Sequence, residues 1–363
     1  MRLNIYPSKI IATSVLICLA SAGFAAGKQW YPTEVDVWEP PFNTERKRST
    51  ETYVPLVKAS KPWNICVSIP HLKDAYWLAV NYGLIDEAKR LGVNIKMYEA
   101  GGYERLDMQR KQVEECLEAN TDGLILSAIS STELNDLVKK ARDKGLPVID
   151  LINGMNSPYI TARAAVDFYD TGYQAGKYLI KHSGHASEKI HVAWFPGPEG
   201  AGWVAAGDSG FRDALKESSI EIIASQHGDT GKTTQAGLIK AVLDQVDSHS
   251  LDYIVGTTVT AEAAEGILRQ RGLSKKIKVL SYYYGPGVHK GIKRGSILAA
   301  PTDSQAIQAR IALDTMVRVL ENKPYFKHAA PKVSVIDRKN QRAWDSSTTL
   351  APRGFRPIFS IEQ

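Results

Sequence analysis

From Trp63 onward the sequence alternates between short runs rich in Val, Ile and Leu and amphipathic stretches of helix length. Apolar runs lie at 63–69, 93–98, 122–128 and 147–152, and helix-length stretches fill 76–91, 104–120 and 131–144 between them. In the first of those stretches Leu78, Tyr82, Ile85, Ala88 and Leu91 recur at three- and four-residue spacing, the period of one helix face. Gly92, Gly123 and Gly145 follow or punctuate the stretches, as helix termini require. A chain that alternates in this way builds parallel βαβ units, with helices on both faces of a sheet.

The alternation then starts again. Strands are predicted at 188–195, 220–226, 251–256 and 277–284, with helices at 169–182, 203–217, 231–247 and 259–271. A short helix (286–294), a strand (296–300), a long helix (304–321) and a terminal strand (332–337) follow. Two such runs predict an α/β protein of two doubly wound parallel-sheet lobes facing each other across a cleft. Ligands of open α/β sheets sit beyond the carboxyl ends of the strands, and a hinge between lobes can close on them. The expected division is a first lobe of 61–166 plus 285–302 and a second of 167–284 plus 303–363. Ahead of both runs an irregular arm over 26–60, broken by Pro32, Pro40, Pro41 and Pro55, is expected to lie on a lobe, pinned by Trp30 and Trp38.

Residues 1–25 read as an export signal. Arg2 and Lys9 precede an apolar run from Ile10 to Ala20, and Gly23-Phe24-Ala25 offers small residues for cleavage. The run is too short to span a bilayer, and nothing after it is long and apolar enough to do so, so the mature chain is expected in the periplasm without inserting into the membrane. Charged residues are 23% of the chain with a net charge of +6 and no Lys/Arg block, which gives no electrostatic footprint for nucleic acid. In an oxidising compartment Cys66, in a predicted strand, and Cys116, in a helix, form a disulfide candidate; the alternative is two separate buried thiols.

No motif supplies a catalytic centre, a cofactor site or a metal site. Gly231-Lys232-Thr233 opens a helix after a strand, yet a phosphate-binding loop needs a glycine where Gln226 stands. Gly207-Asp208-Ser209-Gly210 lies inside a helical pattern and lacks the glycine that would follow a serine-protease nucleophile segment, Phe211 taking its place. His182, His185 and His191 lack further ligands at metal spacing.

Aromatic residues at strand ends carry the stronger signal. Tyr76-Trp77 follow the first strand after a loop holding Asp74, and Tyr103 follows the second after Gly101-Gly102. Phe168-Tyr169 stand where the chain leaves the first lobe, Trp203 follows a strand-to-helix loop, and Tyr282-Tyr283-Tyr284 close a late strand. Each alone is a candidate for the core. Convergent on one cleft they would wall a pocket suited to a small cation or methylammonium group, each face contributing on the order of 0.5–2 kcal/mol. Asp74 would balance positive charge or accept a hydrogen bond there; it is equally suited to capping the helix that begins near Tyr76.

Lys73-Asp74-Ala75-Tyr76-Trp77 after the first strand, in a chain with two lobes and an export signal, resembles type I periplasmic binding proteins. Within that superfamily Lys73–Gly83, Glu99–Tyr103, Pro196–Gly202, Gly256–Gly266, Leu280–Gly295 and Gly354–Pro357 are similar to the trimethylamine N-oxide sensors of the Tor respiratory system. The resemblance implies a binding protein, not an enzyme. It would hold a small methylamine in the interlobe cleft and work with the periplasmic domain of a membrane sensor histidine kinase. By position it assigns the ligand box to Tyr76, Trp77, Tyr103, Phe168 and Tyr283. Members of that family carry Trp where this chain has Phe168, which implies either a related methylamine or the same one held less tightly. The alternative is a carrier that delivers a small solute to an ABC importer.

Overall fold

The computed structural model describes residues 30, 32–184, 189–246 and 250–363. The expected export signal and His185 lie outside them. The arm comes first, as β1 (Thr33–Trp38) and β2 (Arg48–Tyr53). The first lobe then runs through β3 (Asn64–Ile69), α1 (Ala75–Leu91), β4 (Asn94–Glu99), α2 (Leu106–Glu118), β5 (Gly123–Leu126), α3 (Asn135–Asp143), β6 (Val148–Leu151) and β7 (Ala162–Ala164). The second holds α4 (Phe168–Ser183), β8 (Ile190–Gly197), α5 (Gly202–Leu215), β9 (Ile220–His227), α6 (Lys232–Gln245), β10 (Tyr253–Gly256), α7 (Thr258–Gln270), β11 (Lys278–Ser281), α8 (Pro286–Arg294) and β12 (Ala299–Thr302). The last elements are α9 (Gln305–Leu320), β13 (Ala329–Pro331), β14 (Ser334–Asp337) and β15 (Ser360–Ile361).

The first sheet has the order β15-β4-β3-β5-β6-β7 and is parallel except for β15, which pairs antiparallel with β4. The second, β11-β10-β8-β9, is parallel throughout. Helices cover both faces of such sheets, so central strands are buried on both sides; β5 and β10 are buried at every residue. Cys66 on β3 and Cys116 on α2 are joined by a disulfide that ties helix to sheet.

Both late crossings run opposite to expectation. Residues 285–302 stay with the second lobe: Val288, Ile292, Ile297 and Ala300 share a core with Ile254, Leu268 and Val279. α9 instead returns to the first lobe. It lies so close to α1 that a Cβ on Gly83 would sit 2.4 Å from the Ala306 carbonyl oxygen, a contact only glycine permits. α9 is buried without a break from Gln305 to Val317. A helix covered all round has no polar stripe to say which sheet it faces, so its sequence could not assign it. β15 also belongs to the first lobe, whereas β14 pairs with β12 in the second.

The arm is not irregular. β1 pairs antiparallel with β2 and with β13, making a three-stranded sheet. Buried Val35 and Val37 alternate with exposed Glu34 and half-buried Asp36, a period-two signal overshadowed by the neighbouring prolines. Trp38 does pin the arm, stacked on His328 with ring centres 3.9 Å apart. Buried Asp314 on α9 holds the hairpin's far end, accepting from the Tyr53 hydroxyl and the Leu56 amide, each at 2.7 Å.

Candidate functional site

The chain crosses from the first lobe to the second between β7 and α4 and returns between β12 and α9, which turns the carboxyl ends of the two parallel sheets toward each other. The loops there face across a small cavity. Each of its ten lining residues follows a strand or opens the next helix. Asp74 caps α1, Tyr76 and Trp77 lie in its first turn, Tyr103 follows β4, and Ile152 and Asn153 follow β6. Phe168 opens α4, Trp203 stands second in α5, Thr230 precedes α6, and Tyr283 lies two residues beyond β11. All seven residues singled out from the sequence — Asp74, Tyr76, Trp77, Tyr103, Phe168, Trp203 and Tyr283 — line this one cavity.

The rings meet at steep angles. Tyr76 and Tyr283 lie 5.4 Å apart at 79°, Trp203 and Tyr283 5.7 Å at 89°, and Phe168 and Trp203 5.7 Å at 56°. Tyr103 closes the ring against Trp203 at 5.9 Å. Such edge-to-face packing suits the ring quadrupoles and makes the walls rigid. Only the middle of the three consecutive tyrosines reaches the cavity. Tyr282 donates to the Pro196 carbonyl at 2.5 Å, and Tyr284 packs on Trp344 in the core of the second lobe.

Asp74 does both things the sequence allowed. It caps α1, accepting the Tyr76 and Trp77 amides at 3.0 and 3.2 Å, and it lines the cavity. Burial pushes its carboxyl up to about 6 against the opposing pull of those two amides, so it is mostly ionised at neutral pH. Among the described residues no Lys or Arg lines the cavity, which therefore presents one carboxylate among aromatic faces. Burial likewise raises Asp303 to about 6; it accepts the Tyr76 hydroxyl at 2.5 Å from behind the wall. Trp203 Nε1 is buried, and its indole interacts with the Tyr103 side chain.

Interlobe bonds rim the cavity. Lys73 of the first lobe reaches Asp229 of the second at 3.0 Å and its own lobe's Glu104 at 3.2 Å. Thr230 bonds His71 Nε2 at 3.1 Å. Burial lowers His71 to about 4, so it is neutral.

Ile152, Asn153 and Thr230 were not anticipated. Asn153 orients Tyr103, whose hydroxyl donates to its Oδ1 at 3.3 Å, and is itself fixed by donating to the Ala128 carbonyl at 2.7 Å. Ile152 holds a φ of 66°, in the left-handed region that a β-branched residue avoids, strain of the kind that collects at ligand sites. Both follow β6 directly, so the strand-end rule applied to every strand would have found them; the search for aromatics passed over them. Thr230 was hidden in the stretch weighed as a phosphate loop. There Gly231 caps α6, and its amide donates to Asp229 at 3.0 Å. Gly210 lets α5 press on α4, where a Cβ on it would stand 2.0 Å from the Tyr169 carbonyl oxygen, while Gly207 makes room for the Tyr282 ring. His182 bonds the Tyr253 hydroxyl and His191 the Ser250 carbonyl.

Residues 65–324 match the periplasmic binding protein domain family. The periplasmic protein TorT of Escherichia coli K12 is 33% identical over 303 residues, covering 84% of this chain and 86% of that protein. Among solved structures, an ABC transporter solute binding protein from Bradyrhizobium sp. BTAi1 with bound bis-tris is similar at TM-score 0.79 and 48% identity, over 92% of this chain and 99% of that one. The complex of the TorS sensor domain with TorT in the presence of TMAO is similar at TM-score 0.73 and 33% identity, over 82% of this chain and 99% of that one. The same complex without ligand gives TM-score 0.74 and 32% identity, over 82% and 100%. Among the described residues no helix is long and apolar enough to cross a membrane.

Proposed function

The chain belongs to the periplasmic binding protein family, and we propose that it binds a small methylated amine, trimethylamine N-oxide or a close relative, between its lobes and reports it to a membrane sensor histidine kinase. The observation that carries this reading is the aromatic box itself. Six aromatic residues from both lobes and one capping carboxylate line a small cavity free of basic side chains. Aromatic faces attract a methylated nitrogen through its positive charge, and exclusion of water strengthens that attraction. A ligand held by both lobes favours the closed geometry, and a partner that binds the two geometries unequally reads the difference. The ligand residues proposed are Asp74, Tyr76, Trp77, Tyr103, Phe168, Trp203 and Tyr283. The export signal over residues 1–25 would deliver the chain to the periplasm.

Similarity to TorT, whose complex with the TorS sensor domain forms with and without TMAO, supports a kinase partner. The relative from Bradyrhizobium favours a second reading, delivery of a solute to an ABC importer. Calorimetric titration with trimethylamine N-oxide, trimethylamine, choline and glycine betaine tests the box, since a ligand that binds only the native state must also raise the melting temperature. Co-purification with the periplasmic domain of a sensor kinase encoded beside the gene would support signalling. Capture by a permease encoded there, and no kinase, would favour the importer.

A further inference from the structure

The second lobe carries a pocket of a different chemistry, away from the box. It lies between α8 and the loop after β14, lined by His289 and Lys293 of the helix and by Arg338, Lys339, Gln341 and Arg342 of the loop. Two stretches remote in sequence supply the charge, which is why no Lys/Arg block shows in the chain. From Arg271 to Gly295 there are seven Lys or Arg and no Asp or Glu, and Arg338, Lys339 and Arg342 fall within five residues.

The fold holds these cations together. Gln341 staples the loop to α8: its Nε2 lies 2.8 Å from the His289 carbonyl, 3.0 Å from the Tyr284 hydroxyl and 3.2 Å from His289 Nδ1. The turn before it is fixed by Asp337, whose carboxylate accepts the Lys339 and Asn340 amides at 2.7 and 3.3 Å. The Arg338 guanidinium packs beside Gly295 at the end of α8. Neighbouring cations have partners: Arg294 pairs with Glu265 and Arg271 with Asp244, each at 2.7 Å. Lys293, Arg338, Lys339 and Arg342 do not. No carboxylate lines their pocket, and among the described residues none of the four is in an ion pair. Like charges gathered in one place repel, a cost that an anion among them would offset.

His289 adds a neutral donor. Burial lowers its pKa, and Lys293 and Lys290 lower it further, so the ring is uncharged at neutral pH. Gln341 Nε2 donates to the Tyr284 hydroxyl, which turns its own hydrogen to His289 Nδ1 at 2.9 Å. The ring hydrogen is left on Nε2, which has no hydrogen-bond partner among the described residues and is not sealed from solvent. The lining residues thus supply an imidazole N–H, two guanidinium forks and two ammonium groups. A tetrahedral phosphate group has the charge and the oxygens to accept from several of them at once, whereas a carboxylate brings one charge and two oxygens.

We propose that this pocket is an anion site for a phosphate group, separate from the aromatic box and independent of what the box binds. Two sources share that chemistry: free phosphate, and the headgroup of an anionic phospholipid.

NMR titration of the mature chain with inorganic phosphate, at an ionic strength held constant with sodium chloride, tests the site. Phosphate should shift the His289 ring resonances saturably where chloride does not. Lys293→Gln with Arg342→Gln should weaken phosphate binding at least about tenfold through two lost charge-assisted bonds. Lys111→Gln with Lys140→Gln, an equal change of charge at exposed positions of α2 and α3, should leave it within about twofold, with melting curves confirming both folds. Sedimentation with phosphatidylcholine vesicles, with and without phosphatidylglycerol, separates the sources. Retention on phosphatidylglycerol that phosphate releases and the pocket variant loses assigns the site to a lipid headgroup; phosphate binding without retention assigns it to the free ion. No saturable shift and no retention, an equal loss in the two double variants, or retention that survives in the pocket variant would overturn the site. So would a pocket variant that loses only the periplasmic domain of the kinase, which would make these cations a contact for an acidic protein. Affinity for trimethylamine N-oxide should be the same in all three proteins, so the fate of this site leaves the box as it stands.

Discussion

A quaternary ammonium and an amine oxide should respond to pH in opposite directions in this box, and Asp74 is the reason. Its carboxyl sits at about 6, raised by burial and held from rising further by the Tyr76 and Trp77 amides. As a carboxylate it attracts a fixed cation; once protonated it loses that attraction and gains a donor for the N-oxide oxygen. With a pKa of about 6 the ionised fraction falls from nearly all at about pH 7.5 to about a quarter at about pH 5.5. Apparent affinity for tetramethylammonium or choline should therefore fall about fourfold across that interval. The protonated fraction rises from about 3% to about three quarters, so affinity for trimethylamine N-oxide should rise by up to about 25-fold where the proton is donated to its oxygen.

Other groups near the box either stay silent or can be controlled. His71, at about 4, remains neutral in this range, and Lys73 is tied to Asp229 and Glu104. Asp303, also at about 6, titrates behind Tyr76, and burial raises Glu262, whose charge bears on Asp74. Titrations of wild type, Asp74→Asn and Asp303→Asn separate them: Asp74→Asn alone should flatten both profiles. Parallel slopes for the two ligands, or slopes that persist in Asp74→Asn, would refute the assignment. Affinity is the readout because stability mixes signs. Asp74 and Asp303, raised from 3.8, stabilise the fold at low pH and lose that contribution as pH rises through about 6. His71 and His328, lowered from 6.5, give stability that is present above 6.5 and lost as pH falls below it.

Trp77→Ala and Tyr76→Ala should each weaken methylamine binding by about 1–3 kcal/mol through lost burial and cation–π contact; unchanged calorimetric affinity in both would remove them from the site. Non-reducing peptide mass spectrometry should find Cys66 joined to Cys116, and replacing both by Ala should cost about 4 kcal/mol on the chain-entropy model for a 50-residue separation, read by urea denaturation. Gly83→Ala should cost about 3 kcal/mol by forcing α1 off α9, where a Cβ would meet backbone at 2.4 Å. A melting temperature equal to wild type would mean that the two helices separate freely.

The sheets and most of the box were legible because both depend on local pattern. Strands buried on both faces read as unbroken apolar runs, and parallel topology carries whatever follows a strand to one edge; that ground brought Tyr76, Trp77, Tyr103 and Trp203 together with Phe168-Tyr169 and Tyr282-Tyr283-Tyr284, and the family resemblance singled out Phe168 and Tyr283. What failed depended on partners remote in sequence. The side chosen by α9 is decided by the fit of Ala306 against Gly83, more than two hundred residues earlier, and no periodicity encodes that fit. β1 needed β13 to be recognised as part of a sheet. Asn153 was missed for another reason: it shows no aromatic or charged signature, although it holds Tyr103 in place.

Tyr76 connects the box to the hinge, and its hydroxyl is the place to test whether filling one moves the other. Two crossings between the lobes run side by side, one through Val166 and the other through Asp303 and Ser304, the latter in the left-handed region at φ 52°. Gln308 bonds both: its Oε1 accepts the Val166 amide at 2.9 Å, and its Nε2 donates to the Asp303 carbonyl and Oδ2, each at 2.8 Å. The Tyr76 hydroxyl donates to that same Oδ2, while Oδ1 is buried without a partner. Tyr76→Phe keeps the ring that lines the box and strips the buried carboxylate of a donor, a loss of about 1.5–3 kcal/mol for a bond to a charged group. If that bond is made only with the lobes closed, the loss falls on closure. Ligand affinity should then drop about tenfold or more, and small-angle scattering should show a more open ligand-free ensemble. In an Asp303→Asn background, where the charge that needs the hydroxyl is gone, the same substitution should do much less. An equal loss in both backgrounds would show that Tyr76 acts on the ligand through its hydroxyl directly and that the hinge is indifferent to it.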